Sequence, residues 1–323
     1  MKLLKRIFKW TGITILLLIV VLAITVTLLQ NKKHEAPYPA IHASTDSLVI
    51  ARGKALVYGP AHCADCHAPK EELDKYNQGE IVNLSGGHIF DIPPGLVRTR
   101  NITSDKETGI GNLPDSVIAR SLRYSVGFDG RILPEFMPFH NLSNEDLTAV
   151  ISYLRTLPPI HHEVERTQWN MLGKTLFALV IKPVGPDKEI VDHVDIDSTP
   201  AYGKYLVESV ANCKGCHTNR DMATGAFVGP ELGGGFHMVS EVDPTYTVVT
   251  PNITTYSECG KLAVMTENDF IARFRKGKVI VQSTMPWGAF SRMSDLELKA
   301  IYRYLQTVPP VKNNPGPTLI ATK

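Results

Sequence analysis

Acidic residues are missing from the first 33 positions of this chain, which hold six lysines and arginines. The whole sequence of 323 residues has 34 basic and 32 acidic side chains, so 28 face 32 beyond that first segment. The net charge there is −4, against +2 overall. With no basic excess left, a nucleic-acid partner is not expected. Charge of either sign is absent from Thr11 to Gln30, twenty residues dominated by Leu, Ile and Val. That length suits one membrane-spanning helix. A cleaved signal peptide would end a shorter apolar region in small residues. Here the run closes in Leu28-Leu29-Gln30-Asn31-Lys32-Lys33, without an Ala-x-Ala, so an uncleaved anchor is expected. Strand-like alternation is weak throughout, and 43% hydrophobic with 20% charged residues suggests neither disorder nor a fibre. Cysteine is scarce: of five, four fall into two pentapeptides, and Cys259 has no evident partner, as befits a buried or free thiol.

The two pentapeptides are Cys63-Ala64-Asp65-Cys66-His67 and Cys213-Lys214-Gly215-Cys216-His217. Cys-x-x-Cys-His is the attachment signature for a c-type haem. Two thiols at that spacing can each form a thioether to one haem vinyl group. The adjacent imidazole then lies close enough to the porphyrin to be the proximal iron ligand. A thioredoxin-like dithiol would need only the cysteines, and a zinc ribbon a second ligand pair elsewhere. Two covalently bound haem c groups are therefore expected, attached through Cys63, Cys66, Cys213 and Cys216, with His67 and His217 on the irons.

Both pentapeptides belong to a longer repeat. Ala51-Arg52-Gly53-Lys54 recurs as Ala201-Tyr202-Gly203-Lys204, and Leu84-Ser85-Gly86-Gly87-His88 faces Leu232-Gly233-Gly234-Gly235-Phe236-His237. Asn101-Ile102-Thr103 recurs as Asn252-Ile253-Thr254, Met137-Pro138 as Met285-Pro286, and a closing helix ends at Pro158-Pro159 and again at Pro309-Pro310. That closing helix opens with Ser143-x-x-Asp146 in one copy and Ser294-x-x-Glu297 in the other, both capping-box patterns. Apolar residues at 147, 150, 151 and 154, and at 298, 301, 302 and 305, give each helix one buried face. Gly53 and Gly203 cost about 1 kcal/mol in a helix unless close packing needs them. They are expected to let the closing helix cross near Tyr153 and Tyr304.

The expected fold class is all-α, two tandem domains behind an N-terminal transmembrane helix. The divisions fall at 1–10 (cytoplasmic basic segment), 11–30 (anchor), 31–46 (tether), 47–160 (first domain), 161–197 (structured connector), 198–312 (second domain) and 313–323 (tail). Four basic residues before the span against two after it place the N-terminus in the cytoplasm. A single-pass protein of the inner (cytoplasmic) membrane is expected, with its haem domains in the periplasm or extracytoplasmic space.

A Met thioether favours ferrous iron, and position singles out Met137 and Met285 as the sixth ligands. Met222, Met238, Met265 and Met293 do not fill the repeated frame, while His88 and His237 are rivals that do. Asn101, Thr103, Asn252 and Thr254, formally parts of glycosylation sequons, are candidates for haem propionate contacts, as are Arg98, Arg100, Arg120 and Arg273.

Arg100 to Gly111, Met137-Pro138-Phe139 and the Leu-Ser-Asn-Glu-Asp-Leu helix resemble the cytochrome c subunit of membrane-bound alcohol and gluconate dehydrogenases. His62-Cys63-x-x-Cys66-His67 and Cys216-His217-Thr218-Asn219-Arg220 are similar as well, and the likeness covers about residues 47 to 312. The resemblance implies class I cytochrome c domains passing electrons from a periplasmic dehydrogenase toward quinone or an oxidase. Such subunits typically carry three haem motifs, and this chain has two.

Three functions follow as alternatives. The first is a membrane-anchored dihaem electron carrier with no substrate chemistry of its own, taking electrons from a dehydrogenase or quinol-oxidising complex to an acceptor or oxidase. The second is a dihaem peroxidase-type enzyme, which needs one iron with a releasable position beside an acid–base group. The third is a redox or ligand sensor, for which no signalling domain is visible. The matching Met-Pro segments favour the carrier.

Overall fold

The computed structural model describes residues 1–221 and 225–322. The uncharged run folds as part of α1 (Lys2–Leu29), the one described helix long and apolar enough to cross a membrane. Thr14, Thr25 and Thr27 return their hydroxyls to the carbonyls of Trp10, Val21 and Ala23, so these polar groups are satisfied within the helix.

Residues 31–46 do not hang free as a tether; they are strapped along the first half. The His34 amide donates to the Gly130 carbonyl at 2.8 Å, Ala43 to Asp115 Oδ2 at 2.8 Å and Ser44 to Ser152 Oγ at 2.7 Å. Ile41 is buried among the core residues.

The first half then runs through α2 (Ser47–Tyr58), α3 (Cys63–His67), α4 (Leu73–Asn77), the hairpin β1 (Ile89–Ile92) and β2 (Gly95–Arg98), α5 (Asp115–Tyr124) and α6 (Asn144–Thr156). Then come β3 (Gln168–Trp169) and α7 (Met171–Leu179). The second half repeats the order with α8 (Pro200–Tyr205), which runs on as a π turn over Leu206–Val210, and α9 (Cys213–His217). It closes with β4 (His237–Val239), β5 (Tyr246–Val249), α10 (Glu267–Arg275), α11 (Trp287–Phe290), α12 (Asp295–Thr307) and β6 (Leu319–Ala321).

The chain is thus largely helical but not all-α. Two three-stranded antiparallel sheets, ordered β1-β2-β3 and β4-β5-β6, flank the helices. In each, the third strand comes from chain beyond the closing helix: Gln168 pairs with Leu96, and Ile320 with Thr247. Strands of two to four residues are too short to show a period of two, and the third strand of each sheet pairs about seventy residues away, which hides them from sequence patterning.

The decisive contact in each half is a helix crossing. A Cβ placed on Gly53 would stand 1.9 Å from the Ala149 carbonyl oxygen and 2.8 Å from Tyr153 Cβ. On Gly203 it would stand 1.9 Å from the Ala300 oxygen and 2.8 Å from Tyr304 Cβ. Only glycine lets α2 lie on α6, and α8 on α12, this closely. The two tyrosines mark the crossing, as the sequence anticipates.

The closing helices are capped differently. In α12 the box is complete: Ser294 Oγ accepts from the Glu297 amide at 3.2 Å, and the Ser294 amide donates to Glu297 Oε2 at 2.8 Å. In α6 only half of it forms, because the Ser143 amide donates instead to Tyr205 Oη at 3.1 Å. Asp146 turns to Arg52, whose Nε and Nη2 donate to its two oxygens at 2.8 and 3.0 Å, while Nη1 donates to Glu297 Oε1 at 3.2 Å. One guanidinium therefore holds the capping acids of both halves. Around it, a single hydrophobic core runs through both.

Gly203→Ala should destabilise the second half by about 3 kcal/mol, the upper end of the range for overpacking, since the obstacle is backbone rather than a movable side chain. Chemical denaturation followed by circular dichroism checks this; an unchanged midpoint would contradict the crossing.

Candidate haem sites

Each Cys-x-x-Cys-His stretch forms one short helix, α3 or α9, entered through a left-handed residue, His62 at φ 40° or Asn212 at φ 49°. The thiols share this helical turn. Cys63, Cys66 and Cys213 are partly buried and Cys216 is exposed; desolvation pushes the first three thiols up to about 12. A redox-active dithiol needs a lowered value, so the environment is wrong for thioredoxin-like chemistry. No cluster of three or more His, Cys, Asp or Glu placed to hold a metal ion occurs among the described residues.

His67 Nδ1 lies 2.8 Å from the Arg100 carbonyl oxygen, and His217 Nδ1 lies 2.9 Å from that of Pro251. A carbonyl only accepts, so Nδ1 carries the proton and Nε2 keeps its lone pair. Desolvation pulls both histidines below their ordinary range, with the carbonyl bond opposing it, which favours the neutral ring. A neutral imidazole oriented through its far nitrogen is what a haem iron requires, and thiols on the same short helix supply the attachment. The residues fit the group.

The accepting carbonyls immediately precede Asn101-Ile102-Thr103 and Asn252-Ile253-Thr254, and these loops are braced on the glycine-rich segments. The Gly86 amide donates to the His67 carbonyl at 2.8 Å, and the Ile102 amide to the Leu84 carbonyl at 3.0 Å. Gly234 and Ile253 repeat both bonds with His217 and Leu232, at 2.7 and 3.0 Å. Gly86 sits at φ +75°, and a Cβ there would come within 2.5 Å of the Arg100 carbonyl. A side chain at this place would displace the atom that orients His67.

The asparagines and threonines expected at the propionates are turned inward instead. Asn101 and Thr103 are 2% and 1% exposed, Asn252 and Thr254 both 0%. Asn101 Nδ2 donates to the Ile160 carbonyl at 2.8 Å and to Thr108 Oγ1 at 3.0 Å, while its Oδ1 accepts from the Thr103 amide and hydroxyl. Asn252 does the same with the Val311 and Asn313 carbonyls and with Thr254. Buried amides must be satisfied, and here the partners are the chain beyond the closing helix. Cys259 takes the place of Thr108 in the second loop, donating its thiol to the Asn313 carbonyl at 3.1 Å.

Met137 and Met285 occupy matching turns. The Phe139 amide donates to the Met137 carbonyl at 2.9 Å, and the Trp287 amide to that of Met285 at 2.7 Å. Both methionines are half-buried against the core that also receives Cys63 and Cys213. Arg120 donates to the Gly127 carbonyl at 2.5 Å and stacks on Tyr38. Arg273 donates to the Gly277 carbonyl at 2.8 Å and lies 3.6 Å above the Trp287 ring. Of the arginines considered for propionates, Arg273 thus braces the segment after Met285, while Arg120 is held by Tyr38 and Gly127. Arg98 pairs with Glu165 at 3.0 Å, and Arg100 packs over Phe128. Met293 is core, Met238 and Met265 are half-buried, and Met222 lies outside the described residues. His88 and His237 share a frame in sequence but not an environment: His88 is buried beside Phe90, with Nε2 3.9 Å from Glu241, and His237 is exposed.

The two sites adjoin. His62, next to Cys63, packs edge-on against Phe290 at 5.6 Å and Phe139 at 6.5 Å. Those rings follow Met285 and Met137 in the chain, so one imidazole touches the segments leading from both methionines. Arg292 seals the contact, lying over the Tyr76 ring at 4.4 Å and donating to the carbonyls of Tyr76 and Glu80.

Comparison with known proteins agrees with this geometry. Residues 50–158 match the cytochrome c family, so this part of the chain is a cytochrome c domain, a haem-binding electron-transfer unit. The chain is similar to the fructose dehydrogenase cytochrome subunit of Gluconobacter japonicus, 27% identical over 300 residues, covering 88% of this chain and 58% of that one. It is also similar to the cytochrome c subunit of an alcohol dehydrogenase (quinone) from Gluconobacter oxydans, 26% identical over 300 residues, covering 85% and 58%. A diheme cytochrome c-type protein of Cereibacter sphaeroides is 24% identical over 285 residues, covering 81% and 86%. The chain spans little more than half the length of the first two.

Asn101→Ala strips a buried loop of two donors and one acceptor. The loss should be about 1–3 kcal/mol, the cost of leaving buried partners unsatisfied. Thermal unfolding measures it; a variant as stable as the parent would show that the loop does not depend on this amide.

Proposed function

We propose that the chain is a membrane-anchored electron carrier built from two tandem cytochrome c domains, each holding one covalent haem c. The observation that carries the reading is the duplication of the whole support. In both halves a Cys-x-x-Cys-His helix, a carbonyl on the histidine Nδ1, a glycine clamp and a Met-Pro turn recur in the same order. Haem, when bound, supplies a one-electron couple, and with both of its iron positions taken by protein side chains it would offer no site to a substrate.

The chain's residues then do four things. Cys63 and Cys66, and Cys213 and Cys216, fix the groups in place. His67 and His217 present Nε2 in the neutral form. Met137 and Met285 would hold the irons through soft thioethers, which would favour the ferrous state and leave no place for a peroxide. The adjoining of the sites through His62, Phe139 and Phe290 suits transfer from one to the other. A peroxidase would have one of the two supports altered, and the matching Met turns speak for the carrier.

The likeness to dehydrogenase cytochrome subunits supports a periplasmic dehydrogenase as donor and a quinone or an oxidase as acceptor, with the chain as an electron-transfer subunit of such a complex. The uncharged run Thr11–Gln30 of α1 and the K/R bias support a single pass through the inner (cytoplasmic) membrane with both haem domains outside.

Purified protein should show two haems by mass and two low-spin ferric signals by electron paramagnetic resonance. Met285→Ala should remove half of the weak red-end absorption that marks iron–sulfur ligation, open one haem to carbon monoxide and lower its potential. Met293→Leu should do none of these. Full retention of the band in Met285→Ala would reject the ligand assignment, and a high-spin signal in the parent would favour the enzyme.

A further inference from the structure

Helix α7 is not accounted for by haem binding. It is nine residues long, Met-Leu-Gly-Lys-Thr-Leu-Phe-Ala-Leu, capped by Asn170, whose Oδ1 accepts from the Gly173 amide at 3.1 Å. It leaves large apolar groups in the open: Met171 is 65% exposed, Leu172 51%, Leu179 44% and the following Val180 62%. On one nine-residue helix this is a patch that calls for a partner rather than scattered surface residues.

The partner is indicated by what α7 packs against, which is α1. The only buried residue of α1 is Val26. It lies four residues before Gln30, where the uncharged run ends. At 1.5 Å per residue that is about 6 Å inside the apolar span. Amphipathic helices lying in a membrane interface sit about 5–10 Å into the headgroup and acyl boundary. A helix docked at this level on a spanning α1 is therefore held at interfacial depth by the fold itself.

Two further features suit that position. Trp169, at the entrance to α7, stacks on Phe177 with ring centroids 4.3 Å apart, and tryptophan favours the headgroup level. Between the end of α1 and α7 lies a cleft of about 330 Å³ with Lys32, His34, Arg131 and Lys174 in its lining and no acidic residue there. Arg131 is paired with Asp129 outside the lining, and burial with Lys32 nearby holds His34 toward its neutral form, so Lys32 and Lys174 are the groups that suit lipid phosphates.

We propose that α7 is a second membrane element, a short interfacial helix that lies in the outer leaflet's headgroup boundary beside α1 and holds the first cytochrome domain down on the bilayer. The proposal rests on the reading of α1 as an anchor, and the test separates the two. A benzophenone amino acid is placed at Leu172, at Leu22 in α1, or at Val264, an exposed apolar site in the second half (83% exposed), in the full-length holoprotein in native membranes. After illumination, lipid adducts are read by mass spectrometry. The expected result is an adduct at 172 approaching the yield at 22, with 264 at background. An adduct at 22 without one at 172 would overturn the interfacial helix and keep the anchor. No adduct at either would overturn both. Equal yields at 172 and 264 would mean indiscriminate lipid contact and would also overturn the proposal.

Discussion

Each half of the molecule depends on one contact at which two backbones come closer than any side chain permits. The Cβ-less faces of Gly53 and Gly203 rest on the carbonyls of Ala149 and Ala300. This crossing sets the angle between the helix entering each Cys-x-x-Cys-His segment and the helix that closes the half. From the closing helix onward, the chain returns to offer the Ile160 or Val311 carbonyl to a buried asparagine. That asparagine holds the loop whose carbonyl orients the histidine. The sequence of dependence is helix crossing, return segment, loop, imidazole; each member is backbone geometry fixed by the one before it.

Not all of this was legible from residues alone. The two Cys-x-x-Cys-His motifs were, because a contiguous pattern is visible without a structure. The glycine crossing was legible too, since a helical glycine costs stability unless something explains it. The carbonyls of Arg100 and Pro251 were not, because a backbone acceptor has no identity in sequence. What points near them is the recurrence of Asn-Ile-Thr, whose position is informative. A polar loop beside a cofactor motif invites an outward reading, yet Asn252 and Thr254 are wholly buried. The sheets were hidden by brevity and by distant pairing. The strap over residues 31–46 was hidden because prolines near a membrane span look like a spacer even when the neighbouring amides find fixed acceptors.

The similarities between the halves explain what each does, and the differences explain how they meet. Position 52 is arginine and its counterpart 202 is tyrosine; position 55 is alanine and its counterpart 205 is tyrosine. At the seam, Arg52 Nη2 donates to Tyr202 Oη at 3.2 Å, and Tyr205 Oη donates to Asp146 Oδ2 at 2.8 Å. Buried carboxylates need compensation, and removing their partner typically costs about 3–5 kcal/mol. Asp146 and Glu297 are both compensated by one cation and two phenols that no single half provides.

This division makes the seam discriminating. Two second halves brought together would bury a pair of glutamates with no guanidinium between them. Two first halves would crowd a pair of guanidiniums and would lack the phenol that Ala55 cannot supply. Duplicated units risk exchanging partners between chains, since each presents nearly the same face. Here each face is complete only against its sibling, so the duplication carries its own safeguard against promiscuous self-association.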